Sequence, residues 1–131
     1  MKSFEELESI VATLRSENGC PWDREQTHQS LKSNLLEETY EIIEAIESND
    51  SAKICEELGD LLSVIMLHAR IGQESGHFDI EQVLTKISEK LIRRHPHVFS
   101  GLSVKNTNQV IQNWEQIKLS EEGYQDRNSA L

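Results

Sequence analysis

The chain has 131 residues, 23 Asp and Glu against 13 Lys and Arg, and a formal net charge of −10. That length sets a single core-bearing domain but is short for a multi-helix enzyme acting alone, which points to a homo-oligomer. The acidic balance argues against a nucleic-acid polymer as partner, no apolar run approaches the roughly 18 residues of a membrane span, and two cysteines (Cys20, Cys55) without metal-ligand spacing or a preceding signal peptide imply a reducing cytoplasm.

Ser3 followed by Glu6 forms a capping box, and Leu7, Ile10, Val11 and Leu14 recur at helical spacing, predicting a first helix over 3–16. Gly19-Cys20-Pro21-Trp22 ends it, with Trp22 expected to anchor the loop that follows. Asp23 with Gln26 signals a short helical turn. A long acidic helix is expected from His28 or Ser30 to Ser48, and a second from Ser51 to Glu74, stopped by Gly76. Asp79 with Gln82 opens another helix through Ile80, Val83, Leu84, Ile87 and Leu91, ending near Arg94 because Pro96 disfavours helix at His95. Residues 97–106 read as loop, and a last helix over 107–121 carries Val110, Ile111, Trp114 and Ile117. The single domain is expected over 1–122, with 123–131 as a mobile tail. No segment reads as a strand, so the expected fold class is an all-α helical bundle around a central antiparallel helix hairpin.

The acids of that hairpin carry the chemistry. Glu38 and Glu41 lie three apart, as do Glu57 and Asp60, so each pair projects from one face of its helix. Folding the chain back at Ser48-Asn49-Asp50-Ser51 sets Glu41 level with Glu57 and Glu38 level with Asp60. Two unit charges about 4 Å apart repel by roughly 4 kcal/mol at an effective dielectric near 20, and a cation removes that cost. All-oxygen ligands without a Cys/His cluster favour Mg²⁺ or Mn²⁺ over zinc. Exposed glutamates on an acidic helix are the commoner explanation of such a pattern. Here the apolar residues Leu35, Ile42, Ile43, Ile46, Ile54, Leu58, Leu61, Leu62 and Ile65 place the acids at the border of an expected buried stripe.

Lys90, Arg93 and Arg94 share a helical face, where they either grip phosphates or complement the helix macrodipole. Lys53, one turn before Glu57, either reaches a bound phosphate or pairs with a neighbouring acid, and in isolation the pair is favoured. Trp114 and Lys118 lie one turn apart, which would let the aromatic face meet a base while the ammonium meets phosphate, although an apolar helical position more often places Trp in a core. His95 and His97 flank Pro96 and are read as packing or hydrogen-bonding residues, not metal ligands. His28 is a further candidate to face a ligand.

Cys20-Pro21-Trp22-Asp23, Leu36-Glu37-Glu38-Thr39-Tyr40-Glu41, Glu57-Leu58-Gly59-Asp60, Arg93-Arg94-His95-Pro96-His97-Val98-Phe99 and Trp114-Glu115-Gln116-Ile117-Lys118 together resemble the MazG nucleoside triphosphate pyrophosphohydrolase family. The resemblance runs from Cys20 to about Lys118. Its pattern, Glu-Glu-x-x-Glu and then Glu-x-x-Asp, is matched at Glu37, Glu38, Glu41, Glu57 and Asp60. It implies Glu38, Glu41, Glu57 and Asp60 as Mg²⁺ ligands, with Mn²⁺ as a substitute, and nucleotide contacts at Lys53, Glu56, Lys90, Arg93, Arg94, Trp114 and Lys118. It also implies a helical homodimer or higher homo-oligomer, each bundle completed by its partner, that splits a nucleoside triphosphate between the α and β phosphates to a monophosphate and pyrophosphate. A non-ligating carboxylate would accept the proton of the attacking water, and Glu37 and Glu56 both qualify. Several relatives carry two such domains in tandem, whereas this chain stops near where a second would begin. Two rivals stand beside this reading: a related pyrophosphohydrolase acting on phosphoribosyl-ATP or dUTP, and a non-catalytic helical interaction module whose acids only solvate it.

Overall fold

Side-chain caps set where most of the helices begin. In the computed structural model, which describes residues 3–121, the elements are α1 (Phe4–Leu14), α2 (Pro21–Glu25), α3 (Lys32–Glu47), α4 (Ser51–Glu74), α5 (Ile80–Arg94), α6 (Pro96–Phe99) and α7 (Thr107–Ser120). Ser3 accepts from the Glu6 amide, Asp50 from that of Lys53 and Asn106 from that of Gln109. Asp79 and Gln82 cap each other reciprocally, at 2.9 and 3.2 Å, satisfying two amides that the helix itself leaves open. Among the described residues the fold is all-α, and no helix is long and apolar enough to cross a membrane. The tail expected over 123–131 lies outside the described residues.

Three boundaries differ from expectation, each for a local reason. The short helix starts at Pro21 with Cys20 as its cap, not at Asp23, because the fixed φ of proline suits a first helical position; Gln26 closes it instead. The acidic helix starts only at Lys32. Ahead of it, the Ser30 hydroxyl accepts from the Thr27 amide and the Thr27 hydroxyl from the Ser30 amide, a local ring that competes with helix. The expected loop at 97–106 opens with α6: the proline that ends α5 also starts a new turn, with His95 as its cap residue.

The chain divides into two compact units, 1–83 and 84–131, with the boundary inside α5. In the first, α3 packs along α4 as a hairpin and α1 packs on α4. The turn uses Asn49 at φ 57°, a conformation that asparagine tolerates. The core is Val11, Leu31, Ala45, Val64, Met66, Leu67, Ala69, Ile71 and Ile80. A Cβ added at Gly72 would sit 2.5 Å from the Phe78 ring, so that ring packs where only glycine leaves room, and Gly76 closes α4 at φ 73°.

Arg15 ties three elements together. Its Nε and Nη2 donate to Glu74 at 3.0 and 2.9 Å, and its Nη1 donates to the carbonyls of Asp23 and Gln26. This fork holds α2 in place, whereas Trp22 is 49% exposed and does not serve as the expected anchor. The apolar stripe of the hairpin is likewise not buried as expected. Ile43, Ile46 and Leu58 stay 44%, 54% and 51% exposed, because the two helices meet through Ala45, Val64 and their neighbours and no other described element covers the remainder.

In the second unit, α6 and α7 accompany the later turns of α5. Arg94 and Lys118 are buried there. The ring of His95 meets Trp114 edge-on at 4.8 Å, and its Nδ1 lies 2.6 Å from the Leu91 carbonyl, so His95 packs and hydrogen-bonds as expected.

Candidate metal centre

A tight turn followed by an Asp50-capped helix locks the register of α3 against α4, and with it the level of the acids. One ligand oxygen from each of Glu38, Glu57 and Asp60 lies within 4.8 Å of the others. Glu41 faces the same recess, lined by Glu37, Glu38, Tyr40, Glu41, Glu57 and Asp60, but stands outside that closest trio. At about 360 Å³, the recess falls at the low end of the roughly 300–1,000 Å³ of small-molecule sites, and it is polar.

The electrostatics of the cluster are those of anions held together against their preference. Burial first, then Asp60, Glu41 and Glu37, pushes the Glu38 carboxyl above its ordinary range. Burial, then Asp60, Glu41, Glu38 and Glu56, does the same to Glu57. The Oε2 of Glu38 is buried and accepts no hydrogen bond among the described residues. A buried carboxylate oxygen without a donor is costly, and a hard cation satisfies it while cancelling the repulsion. The all-oxygen donor set therefore fits a divalent metal.

The other expected site residues separate into groups. Glu37 reaches the recess, while Glu56 is exposed and is not among its lining residues. Lys53 is exposed and makes no ion pair among the described residues. His28 does not stand open for a ligand: its Nδ1 lies 2.8 Å from that of His68, with the rings stacked at 5.0 Å. In the second unit Arg93 is exposed, Lys90 and Trp114 are half-buried, and Lys118 is buried with its Nζ 3.9 Å from Glu115. Arg93 and Arg94 both bind Glu121. Two neighbours were missed from the sequence. Tyr40 lines the recess, and its place between Glu37 and Glu41 on one helix could have revealed it. Glu121 carried no local signal, being 27 residues from Arg94.

Residues 26–99 match the family model described as the MazG nucleotide pyrophosphohydrolase domain. The chain is 52% identical over 123 residues to the nucleoside triphosphate pyrophosphohydrolase/pyrophosphatase MazG of Thermotoga maritima, covering 92% of this chain and 46% of that protein. It is 45% identical over 132 residues to the nucleoside triphosphate pyrophosphohydrolase of Escherichia coli K12, covering 100% of this chain and 50% of the other. The chain thus spans half or less of the length of the curated relatives it matches. The crystal structure of a mazG-related protein from Thermotoga maritima superposes with a TM-score of 0.73 at 30% identity, covering 88% of this chain and 99% of that one.

Proposed function

Since the chain belongs to the MazG nucleotide pyrophosphohydrolase domain family, we propose that it is a Mg²⁺-dependent nucleoside triphosphate pyrophosphohydrolase, cleaving between the α and β phosphates to yield a monophosphate and pyrophosphate. The observation that carries this reading is the convergence of Glu38, Glu57 and Asp60 with a buried, unpartnered oxygen on Glu38. These three, with Glu41 from the same recess, would hold the metal. When bound, the ion supplies charge neutralisation of the triphosphate and a lowered pKa for the attacking water. Glu37 lines the recess without belonging to the closest trio, which supports it over Glu56 as the acceptor of the proton from that water. Lys53 and Glu56, together with Lys90, Arg93, Arg94, Trp114 and Lys118, are the proposed nucleotide contacts, the guanidiniums taking up charge on the departing pyrophosphate. The active form is a homodimer or larger homo-oligomer.

A panel of nucleoside and deoxynucleoside triphosphates, with dUTP and phosphoribosyl-ATP included, tests the reading when products are resolved with and without Mg²⁺. The expected products are monophosphate and pyrophosphate, lost on chelation. Diphosphate and inorganic phosphate would refute the cleavage position. An absence of any Mg²⁺-dependent turnover would favour the helical interaction module.

A further inference from the structure

In the second unit one carboxylate holds two guanidiniums. Glu121 Oε1 accepts from Arg94 Nε at 3.0 Å and Nη2 at 2.8 Å. Its Oε2 accepts from Arg93 Nε and pairs with Arg93 Nη2. Both arginines are thus gripped along the same Nε/Nη2 edge of their planar forks, and Nη1 of each is left over. For Arg94 the remainder is buried: its side chain is 4% exposed and Nη1 has no hydrogen-bond partner among the described residues. A buried donor without an acceptor is rare in a settled fold, and the cluster of two cations on one anion keeps a net positive charge. That charge suits an incoming anion at Arg93, whose side chain is 49% exposed. The carboxylate itself is anchored, because the Glu121 amide donates to the carbonyls of Ile117 and Lys118 at the end of α7.

We propose that Glu121 is a positioning residue for the phosphates of the substrate: it locks Arg93 and Arg94 side by side and holds the exposed fork of Arg93, whose Nη1 end the carboxylate leaves open, for a phosphoryl oxygen. The inference rests on the reading of Arg93 and Arg94 as nucleotide contacts and adds the group that orients them. The opposite role is that Glu121 fills the anion place and must leave when phosphate arrives. The two roles predict opposite signs.

Binding of inorganic pyrophosphate to the full chain, by calorimetry with Mg²⁺ present, distinguishes them without any need for turnover. Glu121→Gln keeps the shape but replaces one acceptor oxygen with a donor. It is expected to weaken pyrophosphate binding about tenfold to a hundredfold, the scale of a lost charge-assisted contact, and to raise KM for a triphosphate more than it lowers kcat. In an Arg93→Ala, Arg94→Ala background the same change should have little further effect, since Glu121 acts through those side chains. Unchanged or tighter binding in folded Glu121→Gln would overturn the proposal. Should that variant melt far below wild type, Glu121→Asp decides: a methylene shorter, it must also bind pyrophosphate more weakly, and wild-type or tighter binding refutes the role. Wild-type protein that binds pyrophosphate in this Glu121-dependent way but turns over no triphosphate would sink the enzymatic reading and leave the positioning role standing.

Discussion

At Asp60 the conflict within the acid cluster becomes a measurable property of the fold. Asp60 is the leading charged neighbour that raises both Glu38 and Glu57, after burial itself. A carboxyl whose folded pKa lies above its ordinary 4.5 contributes stability that is complete below that value and is lost as pH rises through the raised pKa. Without metal, the melting temperature should therefore gain a falling component as pH increases from about 4.5, and Mg²⁺ at neutral pH should remove it. Asp60→Asn deletes one of the repelling charges. The expected outcome is an unchanged or higher metal-free melting temperature, a flatter pH dependence than wild type, and loss of Mg²⁺-dependent turnover. Full turnover by this variant at saturating Mg²⁺ would remove Asp60 from the centre. Glu74 moves the other way, since its hydrogen bond from Arg15, ahead of opposing burial, lowers its pKa and stabilises the fold above the carboxylate range. The comparison between wild type and variant isolates the cluster from that background.

At the scale of elements, helix ends and close packings carry the order of the first unit. Gly72 lies buried in α4 with the Phe78 ring where its side chain would be. Gly72→Ala gains helix propensity, worth up to about 1 kcal/mol, but must displace the ring, and overpacking of this kind costs about 1–3 kcal/mol. A net loss of stability is expected by denaturant titration. In a Phe78→Ala background, which clears the space, the same substitution should become neutral or stabilising. Equal effects in both backgrounds would show that the ring is not the obstacle. The packing matters beyond itself, since Phe78 also stacks on His28, which in turn meets His68 from α4. Burial, followed by the electrostatic influence of His28, lowers the pKa of His68.

For the whole molecule, the apolar side chains left open on the first unit are the feature that bears on assembly. Phe4 and Ile10 of α1, Tyr40, Ile43 and Ile46 of α3, and Leu58 and Ile65 of α4 are all exposed. Burying such side chains is worth about 1.5–3 kcal/mol each. The homo-oligomer of the proposed function would supply a cover. Sedimentation of the wild-type chain should give a dimer or larger species, and Ile10→Glu, remote in sequence from the acids, should shift it toward monomer with a lower melting temperature. A monomeric wild type across the accessible concentration range would contradict the proposed assembly.

What the sequence alone determined is what depends on residues three or four apart. The caps at Ser3 and Asp79 sit where the spacing places them, and α4 runs over its expected span from Ser51 to Glu74. The meeting of Glu38, Glu57 and Asp60 was legible for the same reason, because a turn as short as that around Asn49 carries the helical period of one helix directly into the next. Only tertiary structure decided which partners distant residues find. The Arg15 fork closes on Glu74 across 59 positions, and Glu121 reaches back 27 to Arg94. Burial followed the same logic. The apolar periodicity of α3 and α4 shows which faces avoid water, but whether Ile43, Ile46 and Leu58 are covered depends on what packs over them, and within the described residues nothing does.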